Sequence, residues 1–209
     1  GLDSDVDLHF TVSPEHLPLF RAQLSAWLKT LEETYGCHFR VNYSEQKPST
    51  DTLALDDSGQ PLRDAEGQLV LRPGGHGALI ENLNDLNADI LLIRNIDNVV
   101  PDVRKQANLH WTRLLTGHLL EIQEEQHALL KALQNQPDDA MVRELAISFL
   151  ADRLQTDVSL SSDNKALIKT LDRPIRVCGM VPNSGEPGGG PFWVRNEQGR
   201  MTRQIVVAA

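Results

Sequence analysis

Two short stretches carry the residue types from which a ligand site is readily built. The first is Arg72-Pro73-Gly74-Gly75-His76-Gly77, a glycine-dense loop that opens a helical pattern. The second is Asn95-Ile96-Asp97-Asn98, just past the apolar run Ile90-Leu91-Leu92-Ile93. Gly74, Gly75 and Gly77 have no Cβ, so a base or phosphate can reach backbone N–H and C=O groups directly. His76 adds a hydrogen-bonding side chain to the same loop. The spacing is neither the dinucleotide fingerprint nor a Walker loop. A tight strand-to-helix turn with a solvated histidine fits the same residues. Asp97, between two asparagines, is placed to hold Mg²⁺, which keeps several waters and bridges to substrate phosphates. Asn95 and Asn98 then position a ligand or cap the next turn. An Asx-turn with a solvated carboxylate is the competing reading.

Two further stretches add candidates. In Glu45-Gln46-Lys47-Pro48, the Gln46 amide can pair with a nucleobase edge and Lys47 can meet a phosphate. Both side chains also suit an ordinary surface. Glu186, Gly188 and Gly189, in Gly185-Glu186-Pro187-Gly188-Gly189-Gly190-Pro191, can line a sugar pocket or form a flexible connector. His110, His118 and His127 share one expected helix, but not at the i, i+4 spacing of a zinc pair. Ser-His-Asp catalysis has no local elbow motif to support it.

The elements around these residues set where they sit. Val6 to Val12 alternates like a strand, and Ser13-Pro14 reads as an N-cap followed by Pro at the first helical position. Leu17, Phe20, Leu24, Trp27, Leu28 and Leu31 recur at helical spacing until Gly36, and Cys37 to Tyr43 reads as a second strand. This β-α-β opening predicts a parallel sheet, whose rim is where α/β proteins bind ligands. Short strands at 52–55 and 68–71 predict a hairpin-like excursion, with a turn at Asp56-Asp57-Ser58-Gly59. A short helix over 78–86 and a doubly covered strand over 89–93 follow. After Pro101 the pattern is helical, first over 103–133 and then from Pro137-Asp138-Asp139 to about Leu154. Ile175 to Val181, Phe192 to Val194 and Gln204 to Val207 read as strands, the last two joined by a turn at 196–199. No internal repeat is expected. The fold class is thus α/β, a mixed, mostly parallel sheet flanked by helices. Residues 1–101 and 174–209 form the α/β part, and 102–173 a helical insertion.

Bulk properties narrow the partners. The chain has 209 residues, with 20 Lys+Arg against 29 Asp+Glu and a net charge of -9. That balance argues against a nucleic-acid partner, which needs a basic face to neutralise phosphates. A small anionic ligand is still compatible, because backbone N–H groups bind phosphate without net positive charge. Cys37 and Cys178 have no ligand-like spacing, so neither a disulfide framework nor a zinc site is expected. No apolar run approaches transmembrane length and no leader pattern opens the chain, so a cytoplasmic protein with no membrane partner is expected.

Arg72-Pro73-Gly74-Gly75-His76-Gly77-Ala78-Leu79 and Ile90-Leu91-Leu92-Ile93-Arg94-Asn95-Ile96-Asp97-Asn98 together resemble the core of UDP-sugar pyrophosphorylases. The chain as a whole resembles more closely an uncharacterised bacterial family known as a domain of unknown function, with relatives about twice as long. The residues that carry this second resemblance are His9 to His16, Glu45 to Thr52, the loop above, and Val177 to Val194. The resemblance implies a nucleotide-diphospho-sugar transferase fold that joins a nucleoside triphosphate to a sugar 1-phosphate with Mg²⁺. Gly74 to Gly77 would contact base and ribose, Gln46 would read the base, Asp97 would hold the metal, and Glu186 with Gly188 to Gly190 would face the sugar. The glycine-rich phosphate loop of pyrophosphorylases has no counterpart before Val6. The resemblance therefore implies a middle fragment whose catalysis is uncertain. The alternatives are a non-catalytic nucleotide- or sugar-binding module and a helical interaction protein built on 103–154.

Overall fold

The computed structural model describes residues 4–96, 99–156, 163–182, 184–185, 189–197, 199 and 201–207. The chain divides into two compact units, Gly1–Ile93 and Arg94–Ala209.

In the first unit β1 (Asp5–Thr11) and β2 (His38–Ser44) pair in parallel, from Asp5 opposite His38 to Thr11 opposite Ser44. Helix α1 (Leu17–Tyr35) connects them, and Gly36 ends it in the left-handed region at φ 69°, where glycine carries no Cβ penalty. Strand alternation sorts the residues by face. Phe10 and Tyr43 lie on the half-buried face and meet Phe20 of α1, with ring centroids 5.0 and 6.1 Å from that of Phe20. The opposite face is polar and exposed. There Arg40 makes a two-pronged pair with Asp7, both contacts at 2.7 Å, and reaches Asp5 at 2.9 Å. Glu32 fastens the helix to the sheet: its carboxylate accepts the Phe39 N–H at 3.0 Å and contacts His38 Nδ1 at 2.8 Å. The helix begins three residues later than the Ser13-Pro14 signal predicts. Ser13 instead closes a preceding turn, its carbonyl accepting the N–H groups of His16 and Leu17.

Strands β3 (Thr52–Leu53) and β4 (Leu71–Arg72) pair antiparallel and frame an arm that contains a repeat the sequence reading missed. Asp56-Asp57-Ser58-Gly59-Gln60 and Asp64-Ala65-Glu66-Gly67-Gln68 form the same turn twice. In each, the Asp carboxylate accepts two backbone N–H groups, and the glycine sits at φ 77° or 79°. Backbone bonds from Leu62 to Ala54, Val70 to Leu62 and Ala54 to Val70 close three passes of chain on one another. A 3₁₀ turn (His76–Leu79) and the short α2 (Ile80–Asn84) follow, in place of one helix over 78–86. The run 89–93 forms no strand, and Leu92 and Ile93 are 63% and 65% exposed. An apolar run becomes a strand only where a neighbour supplies the ladder, and among the described residues β1 and β2 pair with each other alone.

The second unit is built on α3 (Lys105–Asn135), α4 (Ala140–Ser148) with a π-helical extension (Phe149–Arg153), and α5 (Asn164–Leu171). Leu133, Leu150, Leu167 and Leu171 are fully buried, with Ile122, Ala146 and Phe149 around them. Asp139 and Asp163 cap α4 and α5 by accepting N–H groups from their first turns. Helix α5 was not expected, although Asp163 and the Leu167/Leu171 spacing are its signals. The buried Gln126 of α3 donates to the carbonyls of Leu171 and Arg173 and so caps the far end of α5. Residues 175–181 are irregular instead of a strand. Strands β5 (Gly189–Arg195) and β6 (Met201–Val207) form an antiparallel hairpin. Gly189 is therefore a strand residue opposite Val207, not part of the glycine loop.

Truncating Leu150 to alanine opens a cavity in a fully buried position, and we expect a loss of about 2–5 kcal/mol in urea denaturation. Three carboxylates, exposed at Asp7 and Asp56 and half-buried at Glu32, are expected to make the fold acid-sensitive. Asp7 is held below its ordinary pKa by Arg40, Glu32 by the Phe39 N–H and then His38, and Asp56 by the Gln60 and Ser58 groups. Because the folded values are depressed, their stabilisation is present above the unfolded values near ~4 and is lost as pH falls through the folded ones. The urea midpoint should fall between about pH 5 and about pH 3, and Glu32→Gln should flatten that slope. A midpoint independent of pH over this range would contradict the assignment.

Candidate functional site

Strand β2 ends at Ser44, and the next residues turn along the carboxyl rim of the parallel pair. Gln46 and Lys47 lie here, half-buried, before a 3₁₀ turn at Pro48–Thr50. The Gln46 amide nitrogen donates to Asp51 at 3.1 Å, which fixes which end of the amide is nitrogen and leaves its oxygen as acceptor. Lys47 is tied to Asp85 at 2.7 Å.

The glycine loop packs against this rim. A Cβ on Gly74 would lie 2.8 Å from the Thr50 carbonyl oxygen, 2.9 Å from the Ala78 Cβ and 3.7 Å from the Gln46 amide nitrogen. Glycine at 74 is therefore demanded by the chain's own backbone. Gly75 and Gly77 differ: a Cβ at either would meet nothing within 4 Å. Gly75 has φ -73° and ψ -167°, a conformation open to any residue. The loop thus presents backbone to open space at the two glycines that folding does not require. His76, exposed, begins the 3₁₀ turn beside them.

Asn82 locks the loop to the strand end. It is buried, and its amide nitrogen donates to the Ser44 hydroxyl at 2.9 Å and the Glu45 carbonyl at 2.8 Å. Its own oxygen is buried without a hydrogen-bond partner. Ser44 also meets His9 Nε2 at 2.8 Å and Thr11 Oγ1 at 3.2 Å. Ser44, Asn82, His9 and Asp51 thus belong to this rim, and sequence reasoning gave none of them a role in a site. Nothing in Leu79-Ile80-Glu81-Asn82-Leu83-Asn84 sets Asn82 apart from its polar neighbours. In the turn before α1, the Glu15 carboxylate takes its own N–H and then the Ser13 hydroxyl, which holds it below its ordinary pKa.

The structure brings Gln46, Lys47, Gly74, Gly75, His76 and Gly77 onto one rim of the first unit. Asn95 belongs to the second unit, exposed in an irregular segment, and Gly189 to the β5 strand. Asp97, Asn98, Glu186 and Gly188 lie outside the described residues. Among the described residues no group of three or more His, Cys, Asp and Glu side chains is arranged to hold a metal ion. None of their helices is long and apolar enough to cross a membrane.

A family described as a domain of unknown function, DUF4301, matches residues 2–209. No curated protein and no solved structure matches the chain.

The two kinds of glycine separate experimentally. Gly74→Ala should cost about 1–3 kcal/mol in thermal or urea unfolding, because the obstructing atoms include backbone. Gly75→Ala should leave stability unchanged or slightly raised. Equal losses at both positions would contradict the packing described.

Proposed function

The chain belongs to the DUF4301 family, and from that premise we propose that it is a nucleotidyltransferase-like domain whose β2 rim binds a nucleotide or nucleotide sugar. One observation carries the reading: an amide pinned by a carboxylate, Gln46 on Asp51, beside a loop that offers bare backbone at Gly75 and Gly77. A nucleobase needs adjacent donor and acceptor groups plus a flat approach. A glutamine amide with one N–H spent still offers both, and glycine backbone offers the approach. The resemblance of Arg72 to Leu79 and Ile90 to Asn98 to UDP-sugar pyrophosphorylases supports the same assignment.

In this reading Gln46 and Gly74 to Gly77 take base and ribose, with His76 at the mouth. Lys47 meets a phosphate after leaving Asp85. Mg²⁺, which the resemblance would give to Asp97, takes most of its ligands from water and phosphate oxygens and so needs few carboxylates. When bound, Mg²⁺ neutralises phosphate charge, and the full reaction would form a UDP-sugar from a sugar 1-phosphate and a nucleoside triphosphate.

Binding without chemistry is the second reading, and a specific observation favours it. Lys47 is paired with Asp85, so the rim's cation suited to phosphate already holds a carboxylate.

Calorimetric titration of this chain with UTP and with UDP-sugars, with and without Mg²⁺, tests the proposal. Saturable binding is expected, and Gly75→Val or Gln46→Ala should weaken it by about tenfold, roughly 1.4 kcal/mol, without loss of fold. No heat with any nucleotide at millimolar concentration would sink the idea. Pyrophosphate exchange by the same sample would decide for catalysis over binding alone.

A further inference from the structure

In the second unit, α3, α4 and α5 pack mutually around Leu133, Leu150, Leu167 and Leu171. The side of α3 and α4 that bears the groove stays open. A cavity of about 500 Å³ runs between the two helices. Its floor is apolar: Ala128, Leu129 and Ala132 from α3 face Leu145 and Phe149 from α4 and its extension. Leu145 is half-exposed, and Met141, one turn earlier on α4, is 70% exposed.

The rim is charged and unbalanced. Glu125, Asp152 and Arg153 line the groove, and Glu121 stands beside them. Arg153 contacts Glu121 at 2.6 Å and Glu125 at 3.4 Å, so the one guanidinium is already shared between two carboxylates. Asp152 accepts the Ser148 hydroxyl at 2.8 Å. Three carboxylates against one cation leave the rim negative. The π-helical turn at Phe149–Arg153 sets this rim: widening the last turn places Asp152 and Arg153 beside the apolar floor.

We infer that this groove docks a basic amphipathic helix from a protein partner. Apolar residues of that helix, at i, i+3, i+4 and i+7, would fill the floor, and its flanking Lys or Arg side chains would meet Glu125 and Asp152. The fit follows from shape and charge. Two antiparallel-neighbour helices with an open apolar seam accept a further helix in the manner of a bundle, and alanines at 128 and 132 permit close approach. An acidic rim selects a cationic partner and rejects an anionic one by like-charge repulsion. The inference is independent of the nucleotide reading, because every residue it uses lies in the second unit.

The test uses the full chain and two fluorescein-labelled model peptides of equal length, one of Leu and Lys and one of Leu and Glu in the same amphipathic pattern. Fluorescence anisotropy should report saturable binding of the Leu/Lys peptide and none of the Leu/Glu peptide. Ala132→Trp, which fills the floor, should weaken binding by about tenfold or more. Leu145→Ser, at an exposed position where folding is not at stake, should weaken it severalfold, and Asp152→Asn should reduce its salt dependence. Absence of saturable binding, equal binding of both peptides, or binding untouched by Leu145→Ser and Asp152→Asn would each overturn the proposal. So would concentration-dependent dimerisation of the chain abolished by Leu145→Ser, which would assign the groove to a second copy.

Discussion

A buried amide at the end of β2 holds the rim of the first unit together. Asn82 sits on a helix too short to be stable by itself, and a helix of one turn and a half gains little from its own hydrogen bonds. What places it is the pair of bonds to Ser44 and Glu45. The Glu45 carbonyl can only accept, so the Asn82 nitrogen must face it, and the same nitrogen then supplies the Ser44 hydroxyl. That fixes the helix, the 3₁₀ turn before it, and the glycine loop before that. Leaving the Asn82 oxygen unpaired costs on the order of 1–3 kcal/mol. The anchor therefore succeeds only because the rest of the rim, Gly74 against Thr50 and Lys47 against Asp85, is packed tightly around it.

The second unit uses the same device. Gln126 is the buried amide of α3, and its nitrogen reaches the carbonyls at the end of α5. The Leu171 carbonyl ends α5 and the Arg173 carbonyl lies two residues past it, so a side-chain donor to both caps α5 and sets its position along α3. Leucine packing alone would tolerate sliding. A directed donor does not, and the order of Leu167 and Leu171 against Leu133 and Leu150 follows from it.

Local signals made much of this legible. The β-α-β opening, the arm, the long helix with its Asp139-capped successor, and the closing hairpin are all written in periodicity and turn residues. The apolar runs 89–93 and 175–181 misled, because a strand is a property of two segments and one segment's composition cannot supply the ladder. The turn at Asp56 was legible, but its repetition at Asp64 was hidden by the small number of shared letters. The two turns are alike in what Asp and Gly do, one accepting backbone N–H groups and the other adopting positive φ, more than in sequence. Of the rim, Gln46, Lys47 and the glycines were readable from type and spacing. Asn82, Ser44 and His9 were not, since their role arises from contacts across more than thirty positions of chain.

A glycine in a sequence conflates two demands that geometry separates. At Gly74 the missing Cβ is used internally, by a carbonyl oxygen 2.8 Å from where it would stand. At Gly75 the backbone angles suit any residue and the space beside it is empty, so folding places no constraint on the side chain. Glycine there carries a conformational cost in the unfolded chain that alanine would reduce. A glycine without a folding reason leaves its backbone open to approach from outside the chain. The tight glycine accounts for the loop's shape, and the open one leaves that shape accessible at the rim.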